Sequence, residues 1–417
     1  MSGTAVNKVP HETIDNGTAQ VVQSMLDTLY LATRYLLYHR WRTVLLVASM
    51  AVVFYLPSAL QVLVVQARHR LMERARLTPL LLGARGSPLE LVLNSLYFDA
   101  RIPPALPAGA ASRLDRQLVK WSIPLFVRFQ ARGYPIVGTS LDYFTFRQLA
   151  LAEGRWFGML GECVIGSEVA RRLNLAPGDI LISTPESISD LAGVYPLKMH
   201  VVGVLRPTGN PDDRAVFVDV KTSWVIAGLG HGHQDLLDPE AQEKVLSRTD
   251  SEITANASVV QYNEITPENI SQFHFHGDAD QFPLTAILVV PHDDRAGTLL
   301  LGRFTLPDDN QQLIVPEDVI SQLMETVFTV KRYVLAGLLL VVAATLLAVA
   351  LIFSLTVKLR RREIETLVKL GTSPSRIRSI LGCEMGLTVA TAVGLAGLMT
   401  LVTGSAGNLL LQLLIRV

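Results

Sequence analysis

The chain has 417 residues, 37 basic and 37 acidic, with 49% of its residues hydrophobic. Zero net charge, with no basic stripe interleaved with aromatics, excludes a nucleic-acid-binding role, and two cysteines are too few for a disulfide framework. The apolar residues gather into three stretches, Val44 to Val65, about Tyr333 to Val357 and about Met385 to Val402. Each has the roughly 20 residues that a helix needs to cross a hydrocarbon core about 30 Å thick.

In chain order, residues 1–17 have the composition of a disordered tail. Val21, Met25, Leu29, Ala32 and Leu36 then recur at helical spacing. The spacing predicts an amphipathic helix from Thr18 to Tyr38, lying along the inner membrane surface or packed on a partner, and feeding the first span through His39-Arg40-Trp41-Arg42. The polar lead before the first span is much longer than that of a signal peptide, whose apolar core is only about 7 to 15 residues, so the span reads as a retained anchor.

The stretch between the first two spans carries the charges, prolines and alternating patterns of a water-exposed α+β domain. Pro79 to Leu82 and Leu89 to Leu96 read as a strand and a helix, followed by a proline-rich loop from Ile102 to Ala108 and a short helix from Leu114 to Val119. Strands are expected at Ile123 to Phe129, Ile136 to Thr139, Cys163 to Gly166, Ile180 to Ser183, Met199 to Val204, Val216 to Asp219 and Leu284 to Val290. Helices are expected from Ser167 to Leu175, stopped by Pro177-Gly178-Asp179, and near Ser223 to Ala227. Pro316 to Val330 reads as a helix running straight into the second span, with Pro316 in its first turn.

Orientation follows from the loop between the last two spans. It holds Lys358, Arg360, Arg361, Arg362, Lys369, Arg376 and Arg378 against only Glu363 and Glu365, and basic residues are retained on the cytoplasmic side. The expected layout is then a cytoplasmic N-terminus over 1–42, spans over 43–66, 331–357 and 381–403, an extracytoplasmic domain over 67–330, a cytoplasmic loop over 358–380 and a short outer segment over 404–417. Cys163 and Cys383 fall on opposite sides of the membrane and cannot bridge. Within the loop, Ile364, Leu367 and Val368 form an apolar stripe on a charged helix from Leu359 to Leu370 that Gly371 stops. Thr372 or Ser373 caps a second helix opening at Pro374. Helix, sharp break and re-entering helix form a knuckle, or else a plain connecting hairpin.

This loop, from Arg361-Arg362-Glu363-Ile364 through Leu370-Gly371-Thr372-Ser373-Pro374 to Ile377, resembles that of FtsX-like permeases, and Glu384 matches the family's glutamate after the turn. Gly154-Arg155, Gly161-Glu162 through Gly166, Leu173 to Asp179, Val202 to Leu205 and Thr208-Gly209 resemble the periplasmic core of MacB-type permeases, and Leu31 to Ala51 is similar to the family's entry into its first span. The resemblance implies a permease subunit of a type VII ABC transporter in the bacterial inner membrane, with its large domain in the periplasm and no enzymatic activity of its own. Two copies would pair, each docking a separate ATPase chain that holds ATP and Mg, through a coupling helix comprising Glu363, Ile364, Leu367, Val368, Leu370, Gly371, Thr372, Ser373, Pro374 and Arg376. Its work would be mechanotransmission to an extracytoplasmic cargo, with a periplasmic or lipoprotein partner and membrane lipid as further contacts. Independently, no Lys follows a Gly, so no Walker A loop is present in this sequence. The family usually carries four spans; here the apolar run Leu409 to Ile415 is too short to cross and is expected at the outer interface or packed on a span.

Glu384, near the cytoplasmic edge of the third span, is expected to pair with Arg378 or a group of the coupling helix. His231-x-His233 and His274-x-His276 are candidate zinc ligands, because residues two apart on a strand share one face, with Asp235, Asp278 or His292 as further donors. Against that stand the flexibility expected of Gly230-His231-Gly232-His233 as a loop and the need for the two pairs to meet. A membrane-anchored periplasmic metal-binding protein, or a sensor or scaffold, is the alternative function.

Overall fold

A computed structural model describes residues 13–184, 196–233, 245–248, 253–255, 262–304 and 310–414. The chain divides into two compact units, Leu71–Met324 and the terminal stretches Met1–Arg70 with Glu325–Val417. The first elements are helices α1 (Thr13–Tyr38) and α2 (Arg40–Arg76), separated at His39. Helix α1 begins inside the stretch expected to be disordered, since a nucleated helix adds residues at little cost.

The unit Leu71–Met324 opens with β1 (Leu80–Ala84), α3 (Pro88–Tyr97), β2 (Leu106–Pro107), β3 (Val119–Ala131), β4 (Tyr134–Thr139), α4 (Asp142–Phe146), β5 (Leu151–Gly154) and β6 (Glu162–Ile165). There follow α5 (Ser167–Leu173), β7 (Ile180–Ile182), β8 (Lys198–Leu205), β9 (Val216–Asp219), α6 (Val220–Ile226) and β10 (Gly230–Gly232). The unit continues through β11 (Val245–Arg248), β12 (Ile253–Ala255), β13 (Phe273–Phe275), β14 (Pro283–Leu284), β15 (Ala286–Pro291), α7 (Asp294–Arg303) and β16 (Gln311–Ile314). Ten strands form one sheet in the order β16-β1-β15-β3-β4-β9-β6-β8-β5, with β7 also on β8. Only β4 with β9 and β6 with β8 are parallel in it, which fits the α+β class.

Two buried clusters hold the sheet. One gathers Leu80, Leu82, Phe126, Ile287, Val289 and Trp224; the other gathers Ile136, Cys163, Ile165, Val201, Val216 and Val218. The helix expected from Leu114 to Val119 is absent. A 3-10 turn over Ala108–Arg113 ends on an extended Leu114, whose side chain is buried, and the Asp115 carboxylate accepts from the Gln117 N–H at 2.9 Å. That local turn competes with the helix, and β3 starts directly after it. Helix α6 starts three residues before its expected position because Asp219 caps it, accepting from the Lys221 N–H at 2.8 Å.

The remaining elements are α8 (Pro316–Leu359), α9 (Arg361–Lys369) and α10 (Pro374–Leu414). Helices α2, α8 and α10 are each long and apolar enough to cross a membrane. They meet at a small core of Met50, Ala51, Val349 and Ala392, while Leu340, Leu347, Leu351 and Leu401 face outward. The Tyr55 and Thr403 hydroxyls bond at 2.7 Å, and Gln66 donates to the Gly404 carbonyl at 2.8 Å. Helix α10 does not stop before residue 404 but runs on to Leu414, because no proline after Pro374 interrupts its backbone bonds.

At the end of α2, Arg74 is buried. Its Nη1 and Nη2 donate to the Asp212 carboxylate at 2.7 and 2.9 Å, Nη2 also donates to the Tyr143 hydroxyl at 2.8 Å, and Nε donates to the Leu96 carbonyl. Tyr143 in turn donates to Asp212 at 2.7 Å. Burial pushes the Asp212 carboxyl up, but the Arg74 charge and the hydrogen bonds from Arg74 and Tyr143 outweigh it and hold it below its ordinary value. Asp212→Ala should therefore cost about 3 to 5 kcal/mol, since Arg74 is left charged and buried without its partner. In wild type, the stability from this carboxylate is complete above its unfolded pKa of about 3.9 and is lost as pH falls through the lower folded value. Urea titrations of the full chain in detergent at neutral and acid pH, followed by Trp fluorescence, check both the size and the direction.

Candidate functional sites

The knuckle is built as its residues dictate. Helix α9 ends in a left-handed stop: the Gly371 N–H donates to the Val368 carbonyl at 3.0 Å and the Thr372 N–H to the Leu367 carbonyl at 3.1 Å. Gly371 sits at φ +89°, a conformation that strains any side chain with a Cβ. Pro374 opens α10, and the Ser373 carbonyl accepts from the Arg376 and Ile377 N–H groups at 3.0 and 3.2 Å. On α9, Ile364 is half-buried, whereas Leu367, Val368 and Leu370 are 39%, 49% and 77% exposed. Leu367, Thr372 and Arg376 line an open groove with Asp27, Tyr30 and Leu31 of α1, which packs along α10.

Glu384 pairs with Arg360, not Arg378. Arg360 Nη1 reaches both carboxylate oxygens at 3.1 and 3.3 Å, and its Nε donates to Glu363 at 3.1 Å. The Arg360 guanidinium also lies 3.6 Å from the centre of the Tyr35 ring on α1. Arg360 precedes α9 directly and so ties the knuckle to α10 and α1. The sequence marks Glu384 and the basic loop, but it does not select one arginine among seven basic neighbours.

In the unit Leu71–Met324, the motifs of the resemblance prove to be backbone fasteners. Glu162 accepts from both Arg155 Nη atoms, and also from the Gly158 and Met159 N–H groups at 2.8 and 3.1 Å. The Arg155 bond and those two backbone bonds lower its pKa against the effect of burial. Asp179 accepts from the Ala176 N–H at 2.7 Å, and Asp213 accepts from the Thr208 and Gly209 N–H groups. Cys163 is buried, which pushes its thiol up and leaves it protonated.

The two histidine pairs come together. Gly230–Gly232 forms strand β10, not the expected loop, and pairs antiparallel with β13, with His231 opposite His274, Gly230 opposite Phe275 and Gly232 opposite Phe273. The glycines are required by close approach: a Cβ on Gly230 would stand 2.7 Å from the Phe275 ring, and one on Gly232 would stand 2.5 Å from the Phe273 ring. The alternation puts the phenylalanines on one face, against the core clusters, and the histidines on the other. Ligand nitrogens of His231, His233 and His274 lie within 4.8 Å of one another. The His276 ring centre is 4.8 Å from those of both His231 and His274. His274 Nδ1 is 3.1 Å from the Gln272 carbonyl and donates to it, leaving Nε2 with its lone pair. Burial, then the neighbouring His274, His276 and His233, lower the pKa of His231. Asp278 does not join the cluster and instead caps a 3-10 turn; the cluster does not include His292, and Asp235 lies outside the described residues.

Residues 50–262 match the model of the MacB-like periplasmic core domain. The extracellular domain of the noncanonic ABC-type transporter YknZ from Gram-positive bacteria is 13% identical, covering 56% of this chain and 98% of that one at a TM-score of 0.31. The periplasmic region of MacB from Actinobacillus actinomycetemcomitans is 12% identical, covering 61% of this chain and 97% of that one at 0.32. Similarity at that level carries no geometric argument. No curated protein matches the chain. By the family match over half its length, the chain belongs to the MacB/FtsX-like permeases, components of ABC transporters.

Replacing Arg360 by Ala should strand the Glu384 carboxylate, 4% exposed, and cost about 3 to 5 kcal/mol. A double-mutant cycle of Arg360→Ala and Glu384→Ala, read by thermal unfolding in detergent, is expected to give a coupling energy above about 1 kcal/mol.

Proposed function

We propose that this chain is the permease subunit of a homodimeric type VII ABC transporter, in which a separate ATPase docks on the knuckle and its closure is relayed to the extracytoplasmic domain. The observation that carries this reading is the exposed apolar edge of α9, Leu367, Val368 and Leu370, on a short helix that Arg360 anchors at one end and Gly371 terminates at the other. Three large apolar side chains left at the surface of a charged loop mark a contact surface. Helix α8 supports the mechanical part: its 44 residues form one unbroken helix about 66 Å long, so displacement at Leu359 is delivered along its axis to Pro316. Lys358, Arg360, Arg361 and Arg362 support a cytoplasmic knuckle with the large domain on the opposite side of the membrane, since basic residues are retained on the cytoplasmic side; the proposed membrane is the bacterial inner membrane.

Two experiments test it. Leu367→Asp with Leu370→Asp should leave the chain inserted and folded but abolish stimulation of its ATPase, because burying each carboxylate in a docking groove costs several kcal/mol in rough terms. Stimulation equal to wild type would overturn the docking assignment. In a Cys383→Ser background, Ser112→Cys should react with an impermeant thiol reagent added to intact spheroplasts, and Ser375→Cys only after the membrane is breached. The reverse pattern would invert the topology.

A further inference from the structure

We propose that His231, His233, His274 and His276 form a binding site for one divalent first-row transition metal, of the zinc type, on the β10–β13 ribbon. The ribbon supplies what such a site needs before any ion arrives. His231 and His274 are opposed in register, His233 and His276 extend the same face to either side of that pair, and the Phe273 and Phe275 rings anchor the opposite face to the core. Nitrogens around a zinc at about 2.0 to 2.1 Å stand roughly 3.4 Å apart in a tetrahedron, so the ligand atoms of His231, His233 and His274, already within 4.8 Å of one another, close onto an ion by rotation of side chains, and the His276 ring, centred 4.8 Å from those of His231 and His274, is near enough to swing in as the fourth. The bond from His274 Nδ1 to the Gln272 carbonyl fixes that ring and aims its other nitrogen, the arrangement that holds metal-ligating imidazoles in place. His276 is exposed while the other three are half-buried, which leaves a path for the ion to enter and depart.

Chemistry selects the ion. Among the described residues the cluster contains imidazoles and no carboxylate or thiolate, so it disfavours calcium and magnesium, which take oxygen donors, and favours zinc, nickel, cobalt and copper(II). Four neutral ligands leave the full positive charge of the ion in place, as befits a metal that exchanges with the outside medium. The inference stands on the ribbon alone and holds whether or not the knuckle docks an ATPase.

The full chain in detergent, stripped with a chelator, would be titrated calorimetrically with zinc chloride, and separately with cobalt(II) while recording the visible spectrum. One zinc per chain is expected, along with the intense cobalt bands of a tetrahedral nitrogen site and no displacement by excess magnesium. His231→Ala and His274→Ala should each weaken zinc binding by roughly 100-fold, and His276→Ala by roughly tenfold, the range over which ligand and supporting groups act. Because the ribbon could loosen in these variants, the cobalt spectrum of the wild type is the independent reading: the weak bands of six-coordinate cobalt would overturn the site. Zinc uptake that is absent in wild type, or equal in the quadruple alanine variant, would overturn it as well.

Discussion

The buried ion pair of Arg74 with Asp212 is the interaction on which the α+β domain depends. Three separate pieces of chain address Arg74 at once: the Leu96 carbonyl in the last turn of α3, Tyr143 of α4 and the Asp212 turn. A guanidinium away from water is tolerated only when its donors are taken up, and here the carboxylate, the phenol and the carbonyl take them up in a fixed geometry. The last turns of α2 are thereby fastened to the end of α3 and to the turn that follows β8. Tyr143 also stacks into the aromatic group of Phe144 and Phe217, so the polar knot is walled by rings.

A second, smaller knot does the equivalent work among the long helices. Arg360 joins its near neighbour Glu363 to Glu384 on α10 and to Tyr35 on α1. Its effect is to hold α9 as a projecting knuckle instead of a slack connection, with the apolar edge presented outward. The knuckle is thus a corner fastened by one arginine and stopped by one left-handed glycine.

The β10–β13 ribbon illustrates how a strand pair can serve two masters. Its two faces are chemically opposite, aromatic toward the core and imidazole toward solvent, and the register makes the faces coherent across both strands. Glycine at positions 230 and 232 is the enabling choice, since any larger residue would collide with the rings that anchor the ribbon.

Local signals made much of this molecule legible in its sequence. The three apolar helices, the stop at Gly371, the start at Pro374 and most of the central strands follow from periodicity, chain length and the backbone limits of glycine and proline, all of which act within a few residues. Family membership was legible for the same reason: Gly154-Arg155, Glu162 and Asp179 fasten their own neighbourhoods. The β10 strand was not legible, because Gly-His-Gly-His reads as a loop until Phe273 and Phe275 are laid against it. Nor could alternation within each pair of histidines say that His231 faces His274, which is a matter of register between segments more than forty residues apart. Partner choice for Arg74 and Glu384 belongs to the same class. These contacts depend on where distant segments meet, and only the tertiary structure, which decides the loop closures and the burial of charge, could select them.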